Sequence, residues 1–199
     1  MQYLLKMNKI YFFVAVGFLF LTACDPAVPE PKNTTHEIGE VFGGGVVFHV
    51  WKDSTGIQHG LVVDKVDLST GKEWSNIANV LVGTEAQNAS DGLKNSKAIT
   101  QQSGHTNSAA SLCLNSTNSG QNDWFLPSIE ELKLLWNNRV KVNESLSAIS
   151  GASILPATAN YWSSTEYVAN NAWYLFYSIG KADYDEKSFL NYVRAIRKF

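Results

Sequence analysis

The sequence is poor in cysteine, with only Cys24 and Cys113 among its 199 residues. Cys24 is predicted to carry a lipid. Cys113 is then left without a partner for a disulfide bond. Cys113 lies in the apolar, helix-like stretch 109–114, a setting that favours a buried structural thiol over a nucleophile. The fold must therefore be held together by packing, and all six tryptophans lie after Cys24.

The sequence also has no surplus of positive charge. Lys and Arg total 16, whereas Asp and Glu total 18. Two of the basic residues and none of the acidic residues precede Cys24, so the chain from Cys24 onward carries a net charge of −4. A mildly acidic surface argues against nucleic acid as a partner, because phosphate binding needs clustered Lys and Arg. We therefore predict no nucleic-acid binding.

Patterns typical of catalysis and metal binding are missing as well. The histidines His36, His49, His59 and His105 show no i, i+4 spacing, whereas a metal site needs several converging ligands. His49 and His59 fit simply as cross-strand neighbours. No G-x-S-x-G elbow occurs, and Gly43-Gly44-Gly45 precedes a strand instead of opening a helix, as a phosphate-binding loop would. We predict no metal, no cofactor and no enzymatic activity.

The N-terminus, in contrast, carries a complete export pattern. Two lysines precede a charge-free apolar run, and the run ends in Leu21-Thr22-Ala23-Cys24. This pattern predicts a signal peptide over residues 1–23, starting at Met1 or Met7, and cleavage before a lipid-modified Cys24. The alternative is a transmembrane anchor, but a run of about 12 apolar residues is shorter than the roughly 20 that cross a bilayer core.

Residues 24–37 are predicted to form an extended tether between the lipid and a folded domain. Three of the five prolines lie there among polar residues, and such sequence cannot bury a core. The folded domain is predicted over residues 38–199. We expect the acylated Cys24 to insert into a lipid bilayer. This expectation places the protein in the bacterial cell envelope, at the outer membrane, on its periplasmic or surface face.

Periodicity along the domain predicts an α+β order of elements. Residues 46–51 and 60–64 are rich in β-branched and aromatic side chains and flanked by turn residues, which predicts a β-hairpin. Segment 91–115 is helical in pattern, with a stop at Gly104 and a restart near Ser108. Three further strands are predicted over 161–165, 172–178 and 192–199. Aromatic residues cover both faces of the second of these strands, so we expect it to lie inside its sheet. A strand pair, then helices, then strands is typical of α+β domains.

The clearest local signal lies at Ser128-Ile129-Glu130-Glu131. Ser128 and Glu131 match a capping box, in which each side chain accepts a hydrogen bond from the backbone of the other residue. The helix that begins there has one apolar face, which comprises Ile129, Leu132, Leu135, Trp136 and Val140. A shorter helix is predicted over residues 144–149, ended by Gly151.

A series of motifs in this order resembles one family of exported bacterial domains. The motifs are Gly43-Gly44-Gly45-Val46-Val47-Phe48, His59-Gly60-Leu61-Val62-Val63, Asp91-Gly92-Leu93-Lys94-Asn95-Ser96, Asp123-Trp124-Phe125-Leu126-Pro127-Ser128-Ile129-Glu130-Glu131-Leu132, Tyr161-Trp162-Ser163-Ser164-Thr165-Glu166, Ala172-Trp173 and Val193-Arg194-Ala195-Ile196-Arg197. Over residues 38–199 the chain resembles the Lcl C-terminal-domain family, a group of domains of unknown function.

This resemblance implies a C-type-lectin-like α+β fold, with a mostly antiparallel sheet and two or three helices. The name-giving members are surface adhesins that bind polyanionic sugars, so the resemblance implies a ligand-binding or adhesion module, with glycans as a candidate ligand class. The net charge of −4 argues against a polyanion. The strings that hold calcium in sugar-binding lectins do not occur, and the sequence does not settle whether calcium is used.

Two alternatives stay open. One is a structural envelope protein that binds a protein partner. The other is an enzyme related to the formylglycine-generating oxidases, which share this general fold. Those oxidases bind copper through two cysteines placed after a Leu-Pro helix, whereas Cys113 stands alone and before the corresponding helix. This difference disfavours the enzyme.

Four residues near the motifs are the candidate ligand-binding residues: Trp162, Glu166, Trp173 and Arg194. The tryptophans could stack on sugar rings, and their alternative is a place in the core. Glu166 could form an ion pair with an arginine of the last strand, and its alternative is a polar site at the sheet edge. We predict that the site lies among the loops of residues 83–122 and the strand ends near Glu166.

Overall fold

The computed structural model describes residues 35–199. The predicted signal peptide, Cys24 and most of the predicted tether lie outside the described residues. The last residues of the tether pack against the domain, because the His36 amide donates to Gln58 Oε1 at 2.6 Å and Gln58 Nε2 donates to the His36 carbonyl at 2.9 Å. Among residues 35–199, no helix is both long and apolar enough to cross a membrane.

The described part of the chain contains four α-helices and nine β-strands. The helices are α1 (Gly92–Thr100), α2 (Ala109–Leu114), α3 (Ile129–Asn137) and α4 (Arg139–Ser147). The strands are β1 (Val41–Phe42), β2 (Gly45–Lys52), β3 (Gln58–Asp64), β4 (Ser69–Lys72), β5 (Asn160–Val168), β6 (Asn171–Phe176), β7 (Lys181–Glu186), β8 (Asn191–Val193) and β9 (Ile196–Lys198). The predicted α+β class is confirmed, with one helix more than expected.

The strands form two sheets that are antiparallel almost throughout. The first has the order β1-β2-β3-β9 and the second the order β4-β8-β5-β6-β7. The exception is the β5–β8 pair, which is parallel and aligns Tyr161 with Tyr192. Strand β6 has a neighbour on each side, as predicted, but the 40% exposure of Phe176 shows that one end of its second face is open.

Two features of the strands differ from prediction. The hairpin of β2 and β3 is confirmed, but the single strand predicted over 192–199 is divided between the sheets: β8 pairs with β4 and β5, and β9 pairs with β3. The chain crosses between the sheets at Arg194-Ala195, which belongs to neither strand. Strands β4 and β7 were not predicted, because both are short, polar and half exposed.

The start of α3 follows the predicted side-chain cap. Ser128 and Glu131 form the full capping box of α3, and Ser128 Oγ accepts from the Glu131 amide at 3.3 Å. The predicted length of that helix is wrong, because α3 ends at Asn137 and Val140 lies in α4 with 64% of its surface exposed. Trp136 is partly buried and its indole N–H donates to the Tyr177 carbonyl at 2.7 Å.

The core falls into two clusters. One lies between β2, β3 and the helices α3 and α4, with Phe48, Leu132 and Val142 fully buried. The other surrounds three tryptophans that have no exposed surface, Trp74, Trp124 and Trp162. Cys113 lies in this second cluster with no exposed surface, as predicted, and burial raises the pKa of its thiol well above the usual value. Aromatic packing therefore takes the place of disulfide bonds in this domain.

Candidate ligand-binding site

Three aromatic rings form an open cluster where β5 ends and β6 begins. Tyr167 and Tyr184 stack with their ring centroids 4.3 Å apart at an interplanar angle of 21°. Trp173 meets both rings edge-on, at 5.0 Å and 5.9 Å. Sheet register brings them together, because Trp173 on β6 is paired with Tyr184 on β7. Tyr167 is 40% and Tyr184 48% exposed, so the cluster presents aromatic surface to solvent.

A cavity of about 410 Å³ adjoins this cluster, within the usual size range of small-molecule sites. Tyr167 and Trp173 line one side of it. Gln87, Glu130 and Lys133 line it as well and supply an amide, a carboxylate and an ammonium group. Lys133 Nζ lies 2.8 Å from Glu130 Oε1, so these two charges compensate each other at the start of α3. The cavity thus combines an aromatic wall with polar groups whose charges balance.

Glu166 lies in the wall of the cavity, but its carboxylate is fully enclosed and fully bonded. Glu166 Oε1 accepts from Lys187 Nζ at 2.7 Å and from the Val82 amide at 2.8 Å, and Oε2 accepts from the Gly83 amide at 2.8 Å. Lys187 also donates to two backbone carbonyls, and both side chains of the pair have no exposed surface. Burial lowers the pKa of Lys187, and Glu166 opposes that shift. Glu166 therefore fixes the position of the backbone at Val82 and Gly83. The loop that contains these residues continues into the cavity wall.

The predicted pairing of Glu166 with an arginine is wrong. Its cation is Lys187, which follows β7. Arg194 pairs instead with Asp67 at 2.7 Å, and Arg197 pairs with Asp123 at 2.7 Å. Ion pairs do join distant segments of the chain, as predicted, but their partners differ from the predicted ones.

Trp162 and Arg194, two of the four candidate binding residues, are both buried. Trp162 has no exposed surface and its indole N–H donates to the Lys72 carbonyl at 2.7 Å. Arg194 is 1% exposed, and beyond Asp67 it donates to the Asp64 carbonyl at 2.9 Å and to the Ser153 carbonyl at 3.0 Å. Neither residue lines the cavity, so the structure gives both of them a place in the interior instead of a ligand-binding surface.

A comparison with known families shows to which family the chain belongs. The model of the Lcl C-terminal domain matches residues 64–197, more than half of the chain. The chain belongs to this family. The match begins at the end of β3, so β1 and most of the β2–β3 hairpin lie before it. No curated protein matches the chain.

Three of the motifs that resemble the Lcl C-terminal domain, in residues 91–96, 123–132 and 161–166, are joined by buried hydrogen bonds. Ser96 Oγ accepts from the Leu126 amide and donates to its carbonyl, both at 3.2 Å. Thr165 Oγ1 accepts from the Ile129 amide at 3.1 Å, and the Gly92 amide donates to Glu131 at 3.1 Å. These side chains are buried, with Ser96 wholly enclosed. The motifs therefore hold α1, α3 and β5 together, and they describe the fold of the domain more than its ligand.

Several residues of the aromatic cluster and of the cavity were not predicted from the sequence. Tyr184 lies in Lys181–Glu186, where Ala182 and Tyr184 alternate with acidic residues, and this period of two was the available signal for a strand. Gln87 and Lys133 carried no signal, because polar side chains on a loop and on a helix surface are ordinary. Of the predicted residues, only Trp173 and Glu166 line the cavity.

The histidines are placed differently from the expected cross-strand pair. Strand register sets His49 opposite Leu61, and His59 opposite Trp51. Trp51 lies between the two imidazole rings, at 5.6 Å from each. Within residues 35–199, no three His, Cys, Asp or Glu side chains are grouped closely enough to hold a metal ion.

Proposed function

We propose that this chain is an exported bacterial lipoprotein, anchored in the cell envelope through an acylated Cys24, whose Lcl C-terminal domain binds a glycan or another surface polymer. The binding is non-enzymatic and needs no metal or cofactor. The observation that carries this proposal is the open aromatic cluster of Tyr167, Trp173 and Tyr184 beside the 410 Å³ cavity.

A sugar ring suits such a site because it has an apolar C–H face and a polar rim. The apolar face can pack against the aromatic wall, which is large and rigid. The hydroxyl groups can then exchange hydrogen bonds with Gln87, Glu130 and Lys133, which also line the cavity. The exposed, paired state of Glu130 and Lys133 favours recognition by hydrogen bonds over recognition of a charged group.

The non-enzymatic part of the proposal has support from Cys113. The thiol is buried in the core and its pKa is raised by burial, so it cannot act as a nucleophile on a ligand in the cavity. Glu166, the most deeply enclosed carboxylate of the wall, is held by three hydrogen bonds and so is not free to move a proton.

A structural role with a protein partner is the second candidate. Two exposed apolar pairs favour it, Val80-Leu81 and Phe189-Leu190, each residue at least 50% exposed. They lie near each other, since the Lys187 ammonium donates to the Val80 carbonyl at 3.1 Å. Exposed apolar patches of this kind mark protein interaction surfaces.

A glycan array tests the binding proposal, with full-length protein in detergent micelles and with or without calcium. We expect Trp173→Ala to weaken binding by at least about tenfold, or about 1.4 kcal/mol, because it removes the centre of the aromatic wall. Phe176→Ala is the control, since it removes an exposed ring from the same strand but outside the cavity. Absence of glycan binding in both conditions, with co-purification of one envelope protein, would favour the structural role.

Membrane anchoring is tested by Cys24→Ala. We expect this variant to lose labelling with a fatty-acid analogue and to leave the membrane fraction, because a thioether-linked lipid requires the cysteine sulfur. Cys113→Ala serves as the matched control and should remain in the membrane fraction. Unchanged labelling and retention of Cys24→Ala would show that the anchor is elsewhere.

A further inference from the structure

A second cavity, of about 240 Å³, lies on the other side of Glu130. It is lined by His49 and Trp51 from β2, by Ser90, and by Lys198 from β9. Glu130 belongs to the lining of both cavities. The loop between Gln87 and α1 also runs past both, with Ala89 in the first lining and Ser90 in the second. The two cavities are thus neighbours separated by one exposed side chain and one loop.

The second cavity has its own aromatic surface. Trp51 is 40% exposed, and its ring is supported by His49 at 25° and by His59 at 30°, each with centroids 5.6 Å away. His59 is in turn held by Asp53, at 3.0 Å. Burial lowers the pKa of His49 and so favours the neutral ring, which offers one donor and one acceptor. Trp51 is therefore a rigid aromatic face with polar neighbours, like Trp173 in the first cavity.

The ridge between the cavities is firmly built. The Glu130 amide donates to the Ala89 carbonyl at 3.0 Å, which ties the loop to the first turn of α3. The Glu130 side chain is 48% exposed and lies on top of this ridge. A ligand that occupies both cavities must pass over Glu130, where a carboxylate can accept hydrogen bonds from hydroxyl groups.

The lysines along this path are all paired with carboxylates. Glu130 is paired with Lys133 at 2.8 Å, and Lys198 lies 3.8 Å from Glu131. Glu131 also accepts from the Ser128 amide at 2.8 Å, and burial raises the pKa of its carboxyl. Lys198 also lies 3.4 Å from Asp91, so each lysine on this path is paired with a carboxylate and no unpaired positive charge is left to attract a polyanion.

We propose that the two cavities are successive subsites for one linear, uncharged polysaccharide, which packs one sugar against Trp173, crosses Glu130 and packs another against Trp51. This inference rests on the proposed glycan binding and deepens it, since it sets the length and the charge of the ligand. Two aromatic faces joined by a neutral, hydroxyl-binding ridge fit a chain of sugars better than a single sugar.

The test is a length series of uncharged oligosaccharides on the full-length protein in detergent micelles. The probes are dimers, tetramers and hexamers of β-1,4-linked glucose and of β-1,4-linked N-acetylglucosamine, titrated calorimetrically, with a sulfated hexamer as the charged counterpart. We expect hexamers to bind at least tenfold more tightly than dimers, and the sulfated chain to bind no better than its uncharged equivalent. Trp51→Ala should abolish the gain with length, whereas Trp173→Ala should weaken binding of every length.

Each other result overturns the inference in a recognisable way. If dimers bind and longer chains bind no more tightly, the second subsite is refuted and the proposed function stands. The same holds if the gain in affinity with chain length survives Trp51→Ala. Tighter binding of the sulfated chain would refute the uncharged ligand. Absence of binding by every probe would contradict the inference together with glycan binding itself. Trp51→Phe, which keeps an aromatic face, should retain most of the gain, and Phe176→Ala should match the unmodified protein.

Discussion

Lys187→Met is expected to lower the free energy of unfolding by about 3–5 kcal/mol, the usual cost of removing one partner of a buried ion pair. The ammonium group contacts Glu166 at 2.7 Å and the carbonyls of Ala169 and Val80 at 2.6 Å and 3.1 Å, and it lies 4.9 Å from the ring centre of Trp74. Methionine fills a similar volume but leaves the Glu166 carboxylate enclosed without its cation. Urea denaturation, extrapolated to water, measures the change.

Lys133→Met is the matched control for this prediction. Its pair with Glu130 is 39% and 48% exposed, and exposed pairs contribute about 0–1 kcal/mol. The double variant Glu166→Gln, Lys187→Met should be less destabilised than Lys187→Met alone, because no unpaired charge then stays buried. If Lys187→Met cost no more than Lys133→Met, the enclosure of the Glu166–Lys187 pair would be wrong.

Arg194→Met is expected to cost a similar amount, about 3–5 kcal/mol, for a related reason. The guanidinium is 1% exposed and joins three segments through Asp67, the Asp64 carbonyl and the Ser153 carbonyl. Asp67 would keep its hydrogen bond from the Tyr161 hydroxyl, at 2.9 Å, but would lose its only charged partner within the described residues. Thermal unfolding followed by circular dichroism should show a lower transition temperature.

Arg194→Lys separates charge from shape in this network. Lysine keeps the positive charge, but its compact ammonium cannot reach all the acceptors that the planar guanidinium spans. We expect an intermediate loss of stability. Arg197→Met is the control from the same segment, because its partner Asp123 is 48% exposed, and we expect it to cost about 1 kcal/mol or less. Equal effects of Arg194→Met and Arg197→Met would contradict a special role for Arg194.

The parts of the fold that could be predicted are those fixed by neighbouring residues. The capping box at Ser128 and Glu131 depends on residues three apart, and the hairpin of β2 and β3 depends on a short loop with turn residues. The cap of α2 at Ser108 likewise follows the predicted restart of helical pattern. Short-range chemistry decides such features, and the sequence displays it directly.

The parts that could not be predicted depend on pairing over long distances. Glu166 pairs with Lys187 instead of an arginine because β7 and the turn after it place Lys187 inside the sheet edge. The sequence of β7 itself gave only a weak signal for a strand, because the strand is polar. The division of segment 192–199 is decided by which strands lie beside it, since β8 meets β4 and β5 while β9 meets β3. Strand pairing of this kind is a property of the whole fold.

The candidate site was predictable to the level of a region. The first cavity does include the loop after residue 83 and the strand end near Glu166. Trp162 and Trp173 look alike in sequence, since both lie in aromatic strands, yet one has no exposed surface and the other lines a cavity. Strand register aligns Trp162 with Tyr174, so Trp173 lies on the opposite face of the sheet, and side-chain alternation alone cannot tell the two faces apart.

Residues 191–198 contribute a strand to each sheet. This arrangement determines when the two sheets can be completed during synthesis of the polypeptide. The β2–β3 hairpin can form early, but its remaining neighbour arrives much later, because Val63 aligns with Ile196. The Phe125 backbone likewise exchanges its hydrogen bonds with Ile196 at 2.9 Å and 3.0 Å. Neither sheet is complete until this segment has left the ribosome. A domain whose sheets depend on such non-local contacts folds more slowly than one built from contacts between neighbouring elements.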